Sequence, residues 1–142
     1  MADKHTKRLA RLLRVRTLQV GQVRAEESAA QDKLASEHAL SQRIAALAAN
    51  VAPRPAEFGA AMSFAAAAHY RERLHVSSTA AEQRVVVAEA GLDRARAATQ
   101  EARRDQSAIE KLIERAKHEA AKRELRALEE SPPTRKNRHA PC

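Results

Sequence analysis

The sequence predicts an all-α fold, a long antiparallel two-helix coiled-coil hairpin whose second helix is the longer. Three observations predict it. The chain of 142 residues is 44% hydrophobic but only 2% aromatic and 31% charged, rich in Ala, Arg, Glu and Leu, the composition of long helices and not of a thick core. Most of its apolar count is alanine, which removes little surface from water when buried, at about 25 cal/mol per Å2, so a narrow seam between helices is the form the sequence supports. The one strong interruption is Asn50-Val51-Ala52-Pro53-Arg54-Pro55-Ala56-Glu57-Phe58-Gly59, a third of the way along. Two prolines there lack backbone donors and restrict the residues before them, so the helix stops and the chain turns back.

The first helix is expected to begin at a Thr6 cap, after a flexible stretch 1–5, and to run to about Ala49. Its apolar marks are Leu9, Leu13, Val20, Val23, Ala30, Leu34, Leu40, Ile44, Leu47 and Val51, mostly three and four apart, with Arg16 and Glu27 as polar interruptions. The step from Leu34 to Leu40 breaks that register, which predicts a loosened or rotated seam near Glu37 and His38. Gly21 costs about 1 kcal/mol against Ala but leaves the period intact.

The second helix is expected to start between Pro55 and Ser63 and to reach about Glu130, where Ser131-Pro132-Pro133 ends it; 131–142 reads as a disordered basic tail. Its heptad is cleaner. Val85, Ala88, Leu92, Ala95, Thr99, Ala102, Gln106, Ile109, Ile113, Ala116 and Ala120 alternate by three and four, and the frame extends back through Ala81 and Leu74 to Phe64. At 1.5 Å per residue the helices would measure ~65 and ~105 Å, so roughly 25 residues of the second, over 110–130, are expected to overhang. The overhang would leave Ile109, Leu112, Ile113, Leu125 and Leu128 without an internal partner, as either a frayed end or, the favoured reading, a docking surface.

The formal net charge is +8. Seven Lys or Arg through Arg24 face only Asp3, and Arg135, Lys136 and Arg138 add to the basic tail, while the middle is nearly balanced. In a hairpin both basic ends meet at one tip. No stretch reaches the ~18 apolar residues of a membrane span, and no signal-peptide region follows Met1 to Lys7, so a soluble cytosolic protein is expected. Cys142 is the sole cysteine, which excludes an internal disulfide.

No phosphate loop, nucleophile elbow or His-Glu-x-x-His pattern occurs. The six histidines are scattered, with His69 and His75 six apart, which argues against a metal site. Glu26-Glu27 and Glu129-Glu130 are sequence neighbours that diverge on a helix, and Arg115, Glu119 and Arg123 form an i, i+4 ladder that needs no function beyond supporting the helix. The expectation is a non-enzyme without cofactor, metal or small-molecule substrate. The basic ends allow a nucleic-acid-associated coiled coil as one alternative, though without stacking aromatics near them, and a self-associating scaffold as another.

The order of features resembles the flagellar type III export protein FliJ family. Leu9-Ala10-Arg11-Leu12-Leu13-Arg14-Val15-Arg16 is similar to that family's opening Leu-Leu-x-x-Arg pattern, and Tyr70-Arg71-Glu72-Arg73-Leu74 resembles its aromatic-x-x-x-Leu element. Ala108-Ile109-Glu110-Lys111-Leu112-Ile113-Glu114-Arg115 resembles its C-terminal Leu-Glu-Lys-Leu-x-Glu-Arg block. The resemblance implies a coiled coil like the central stalk of rotary ATP synthases. It implies that the end bearing the termini enters the export ATPase ring, using Leu9, Leu12, Leu13 and Arg16 with Leu112, Ile113, Leu125 and Leu128. It further implies contact with the cytoplasmic domain of the export gate through Tyr70 and Leu74, with Ser77 and Ala81 following on that face, and escort of export chaperones at the inner-membrane export apparatus. Ser77 and Ala81 depart from the larger or more polar residues expected there. Each apolar position named also fits an ordinary hairpin seam.

Overall fold

A computed structural model describes residues 2–51 and 60–132. It contains two helices, α1 (Ala2–Asn50) and α2 (Ala60–Glu129), and among the described residues no strand, an all-helical hairpin. The Ala52–Gly59 part of the expected turn, and residues 133–142 of the expected tail with Arg135, Lys136, Arg138 and Cys142, lie outside the described residues. The chain forms two compact units, and both helices contribute to each: Leu18–Arg103 is one, and residues 1–17 with 104–142 are the other.

In the unit Leu18–Arg103, the side chains withdrawn from solvent repeat at alternating steps of three and four on both helices. On α1 the frame holds Val20, Val23, Glu27, Ala30, Leu34, Glu37, Ser41 and Ile44, and on α2 Leu74, Ser78, Ala81, Val85, Ala88, Leu92, Ala95, Thr99 and Ala102; Leu40 on α1 and Ala67, Gly91 and Ala98 on α2 are half-buried as well. This is the spacing that keeps one face of a helix against a neighbour. The Arg84 guanidinium bonds the Glu37 carboxylate at 3.0 Å, and the Thr99 hydroxyl lies 3.4 Å from the Val23 carbonyl. Going from the first pair to the second, α1 runs backwards while α2 runs forwards, so the helices are antiparallel here. The Arg71 guanidinium donates to the Val51 carbonyl at 3.0 Å and so satisfies an acceptor just past the end of α1.

Glu37 corrects one expectation. The seam does not rotate or loosen between Leu34 and Leu40: Glu37 fills the missing heptad position and is buried, 7% exposed. Charged side chains rarely occupy a seam, but here Arg84 reaches over the edge to pair with the carboxylate. Its second oxygen, Oε2, is buried without a partner. Farther along α1, Leu47 stands one position off the frame that runs from Ile44 to half-buried Val51 and is exposed, as is Phe64 on α2.

In the second unit, α1 contributes Thr6, Leu9, Leu13 and Arg16 to the seam, and α2 contributes Gln106, Ile109, Ile113, Ala116 and Ala120. Arg16 pairs with Asp105 at 3.0 Å, and Gln106 lies 3.5 Å from the Thr17 hydroxyl. Thr6 is not the cap. Helix α1 begins earlier, at Ala2, and Thr6 sits half-buried within it.

That earlier start shortens the predicted overhang. Ile109 and Ile113 are half-buried seam residues, and the fully exposed run begins only at Ala121 and continues to Pro132. The expectation placed all of the surplus length of α2 at its C-terminal end. Instead, Arg71 meets Val51 just past the end of α1, which leaves Ala60–Tyr70 of α2 beyond that end, so part of the surplus lies near the turn. The helix ends where Ser131-Pro132 predicts. The Glu130 amide still bonds the Arg126 carbonyl, while the Ser131 amide and hydroxyl both donate to the Leu128 carbonyl.

Candidate interaction surfaces

The structure divides the residues that the family resemblance groups together. In the second unit, Leu9 is buried and Leu13, Arg16 and Ile113 are half-buried, so these four hold α1 to α2. Leu12, Leu112, Leu125 and Leu128 are exposed, and Val15 is exposed beside Leu12 on α1. Leu12 and Leu112 each precede a seam residue, Leu13 and Ile113. In antiparallel helices positions of that kind flank the same edge of the seam, so both leucines border one edge of this unit.

Beyond Ala120 the seam frame passes through Arg123, Ala127 and Glu130, all exposed, while Ala121, Leu125 and Leu128 lie on another face. Leu125 is 59% and Leu128 70% exposed, on helix that no part of α1 covers. Around this apolar surface the charge is uneven. The α2 segment 104–132 carries seven basic and seven acidic residues, whereas the α1 segment carries Lys4, Lys7, Arg8, Arg11, Arg14 and Arg16 against Asp3. Arg8, Arg11 and Arg14 are exposed. This unit therefore exposes leucines on more than one face, together with an excess of basic side chains on α1.

In the unit Leu18–Arg103 the other four candidates also separate. Leu74 and Ala81 are buried in the seam; Tyr70 and Ser77 are exposed on its edge. Only Tyr70 and Ser77 present side chains for an outside contact, and exposed Met62 and Phe64 lie farther towards the start of α2. The sequence reading missed three exposed valines, Val76, Val86 and Val87. The signal was their position out of phase with the seam.

Among the described residues no group of three or more His, Cys, Asp or Glu is placed to hold a metal ion, and no helix is long and apolar enough to cross a membrane. The surface hollows are shallow. One is lined by Lys111, Glu114, Arg115, His118 and Glu119, all on α2, and another by Lys33, Glu37, Gln83, Arg84 and Val87.

What the fold defines is a class, a two-helix antiparallel hairpin with exposed apolar and basic surface. Comparison with protein-family models, curated proteins and solved structures finds no match to this chain.

Proposed function

We propose that the protein is a non-enzymatic central-stalk component of the flagellar protein export apparatus, cytoplasmic and peripheral to the inner membrane, which binds and activates the export ATPase ring. The observation that carries the reading is that one unit leaves Leu12, Leu112, Leu125 and Leu128 exposed together with Arg8, Arg11 and Arg14. A helical segment that continues past its partner and keeps leucines in solvent suits entry into a complementary partner, and the exposed basic residues suit an acidic one. In this reading the seam residues Leu9, Leu13, Arg16 and Ile113 position the surface. Tyr70 and Ser77 contact the export-gate domain, and export chaperones are further partners.

Co-purification with the export ATPase at low salt, together with ring assembly and hydrolysis assays, tests the proposal. The wild-type chain is expected to bind and stimulate, with binding weakening as salt rises. Changing Leu125 and Leu128 together to Asp is expected to lower stimulation by about tenfold or more, as loss of two buried apolar anchors implies. Absence of binding at low salt would sink the reading. Retention of the chain on nucleic acid, lost with Arg8, Arg11 and Arg14, would instead favour a nucleic-acid-associated coiled coil.

A further inference from the structure

The contacts of the unit Leu18–Arg103 define one alignment of its seam. The Thr99 hydroxyl meets the Val23 carbonyl, Arg84, which precedes Val85, meets Glu37, and Arg71 meets the Val51 carbonyl. Between these points the frames of both helices step by four and three in the same order, so Val23 stands level with Thr99, Glu37 with Val85 and Val51 with Arg71. A large side chain faces a small one in most layers, as with Leu34 and Ala88 or Ala48 and Leu74, which is how a narrow seam closes.

An unbroken alternation also permits a slip. If α2 moves by one heptad, ~10 Å at 1.5 Å per residue, each α1 residue faces the α2 residue seven places earlier and the frame is kept. Leu34 then faces Ala81, Ala30 faces Val85 and Ser41 faces Leu74, so large still meets small in these layers. The slip crowds Val23 against Leu92, but it sets Phe64, 58% exposed on the part of α2 beyond α1, level with half-buried Val51. The opposite slip packs worse, because Ile44 faces Val85 while Ala48 faces Ala81. Packing alone therefore separates the observed alignment from the first slip only weakly.

Charge separates them sharply. Glu37 is buried, with one carboxylate oxygen on Arg84 at 3.0 Å and Oε2 without a partner. For slips of half or one heptad in either direction, the residues that come to the place of Arg84 are Ser77, Ala80, Val87 and Gly91, none of them charged. Ser77 would offer a neutral hydroxyl in place of a guanidinium, a weaker partner for a carboxylate. Lys33, one turn before Glu37 on α1, travels with it and favours no alignment. Among these alignments, the observed one alone brings a cation across the seam to the buried carboxylate, and a buried carboxylate without such a partner is strongly unfavourable.

We propose that Glu37 and Arg84 form a register lock: the pair holds the unit in the observed alignment, and without it α2 slips by one heptad and brings Phe64 to Val51. A polar group at a single seam position is a known means of fixing the register of paired helices at a cost in stability. The lock uses none of Leu12, Leu112, Leu125 or Leu128, so its failure and that of the export reading are separate results.

Disulfide trapping in the Cys142→Ser background reads the alignment. Ser41→Cys with Ala81→Cys reports the observed one, in which the two stand level. Ala48→Cys with Ala67→Cys reports the slipped one; in the observed alignment these positions are a heptad apart, beyond the roughly 7 Å between Cα atoms that a disulfide spans. With Glu37 and Arg84 in place, the first pair is expected to close under mild oxidant and the second to stay reduced. In Glu37→Leu/Arg84→Met the second pair is expected to close as well. Moving the cation by one heptad, in Ser77→Arg/Arg84→Ser with Glu37 kept, is expected to reverse the preference, so that the second pair closes faster than the first. Ala48→Cys with Ala90→Cys, where Ala90 is exposed and off the frame, is the control for general opening and is expected to stay reduced throughout. Closure of the first pair alone in either variant overturns the proposal. Equal closure of the control pair does so too, because it reports opening of the hairpin and not a slip.

Discussion

Glu37 is the least expected residue of the seam. One carboxylate oxygen accepts from Arg84, whose side chain remains 60% exposed, and the other is buried without a partner. Removing the guanidinium leaves a buried charge with nothing to pair it, whereas removing both groups leaves an apolar seam. Arg84→Met is therefore expected to destabilise the protein by about 1–2 kcal/mol. The double variant Glu37→Leu/Arg84→Met is expected to match the wild type or exceed it by up to about 2 kcal/mol. Urea unfolding followed by circular dichroism at 222 nm measures both. A double variant weaker than Arg84→Met alone would show that the pair contributes more than its burial costs.

The helices themselves are legible in the sequence, because their punctuation and period are. Helix α1 stops at Asn50, before Pro53, and α2 stops at Glu129, before Pro132, both within a residue of expectation. The α2 heptad from Val85 to Ala120 is buried or half-buried at every position named, since one unbroken alternation leaves one face to bury. Reading apolar residues alone failed at Glu37, where a charge takes a seam position, at Leu47, which stands one position off the frame running from Ile44 to Val51, and at Phe64, which is exposed. Pairing offset is not written in either helix taken singly, so the division of surplus length between the two ends of α2 could not be foreseen.

The glycines and the extension give two further expectations for these elements. A Cβ added at Gly21 or Gly91 meets no atom within 4 Å, so Gly→Ala at either position is expected to stabilise its helix by about 0.5–1 kcal/mol. Urea denaturation of each variant checks the gain, and a loss would indicate that the seam closes more tightly than the structure has it. Residues 121–132 are exposed throughout, so truncation after Ala120 is expected to reduce the helical signal in proportion to its length while shifting Tm by no more than about 2 °C, the scale of a change well below 1 kcal/mol.

Burial is unevenly shared across the molecule. Of the eight buried residues described, only Leu9 belongs to the unit of residues 1–17 with 104–142, while Val20, Glu37, Leu74, Ala81, Ala88, Leu92 and Thr99 all belong to Leu18–Arg103. Local opening is easiest where few apolar contacts must be broken. Amide hydrogen exchange is therefore expected to proceed faster in Ala2–Thr17 and in Arg104–Glu129 than in the seam segments around Val20 and Leu92, with the fastest exchange over 121–129. The same unit carries the surface assigned to ATPase binding, and a segment that opens readily when free pays its ordering entropy on association. If the export reading holds, adding the ATPase slows exchange over Leu9–Arg16 and Leu112–Leu128 while leaving Val20 and Leu92 nearly unchanged. Exchange mass spectrometry with and without the ATPase separates these outcomes. Uniform protection of both units in the free chain would contradict the burial argument, and protection gained only around Tyr70 would move the binding surface to the other unit.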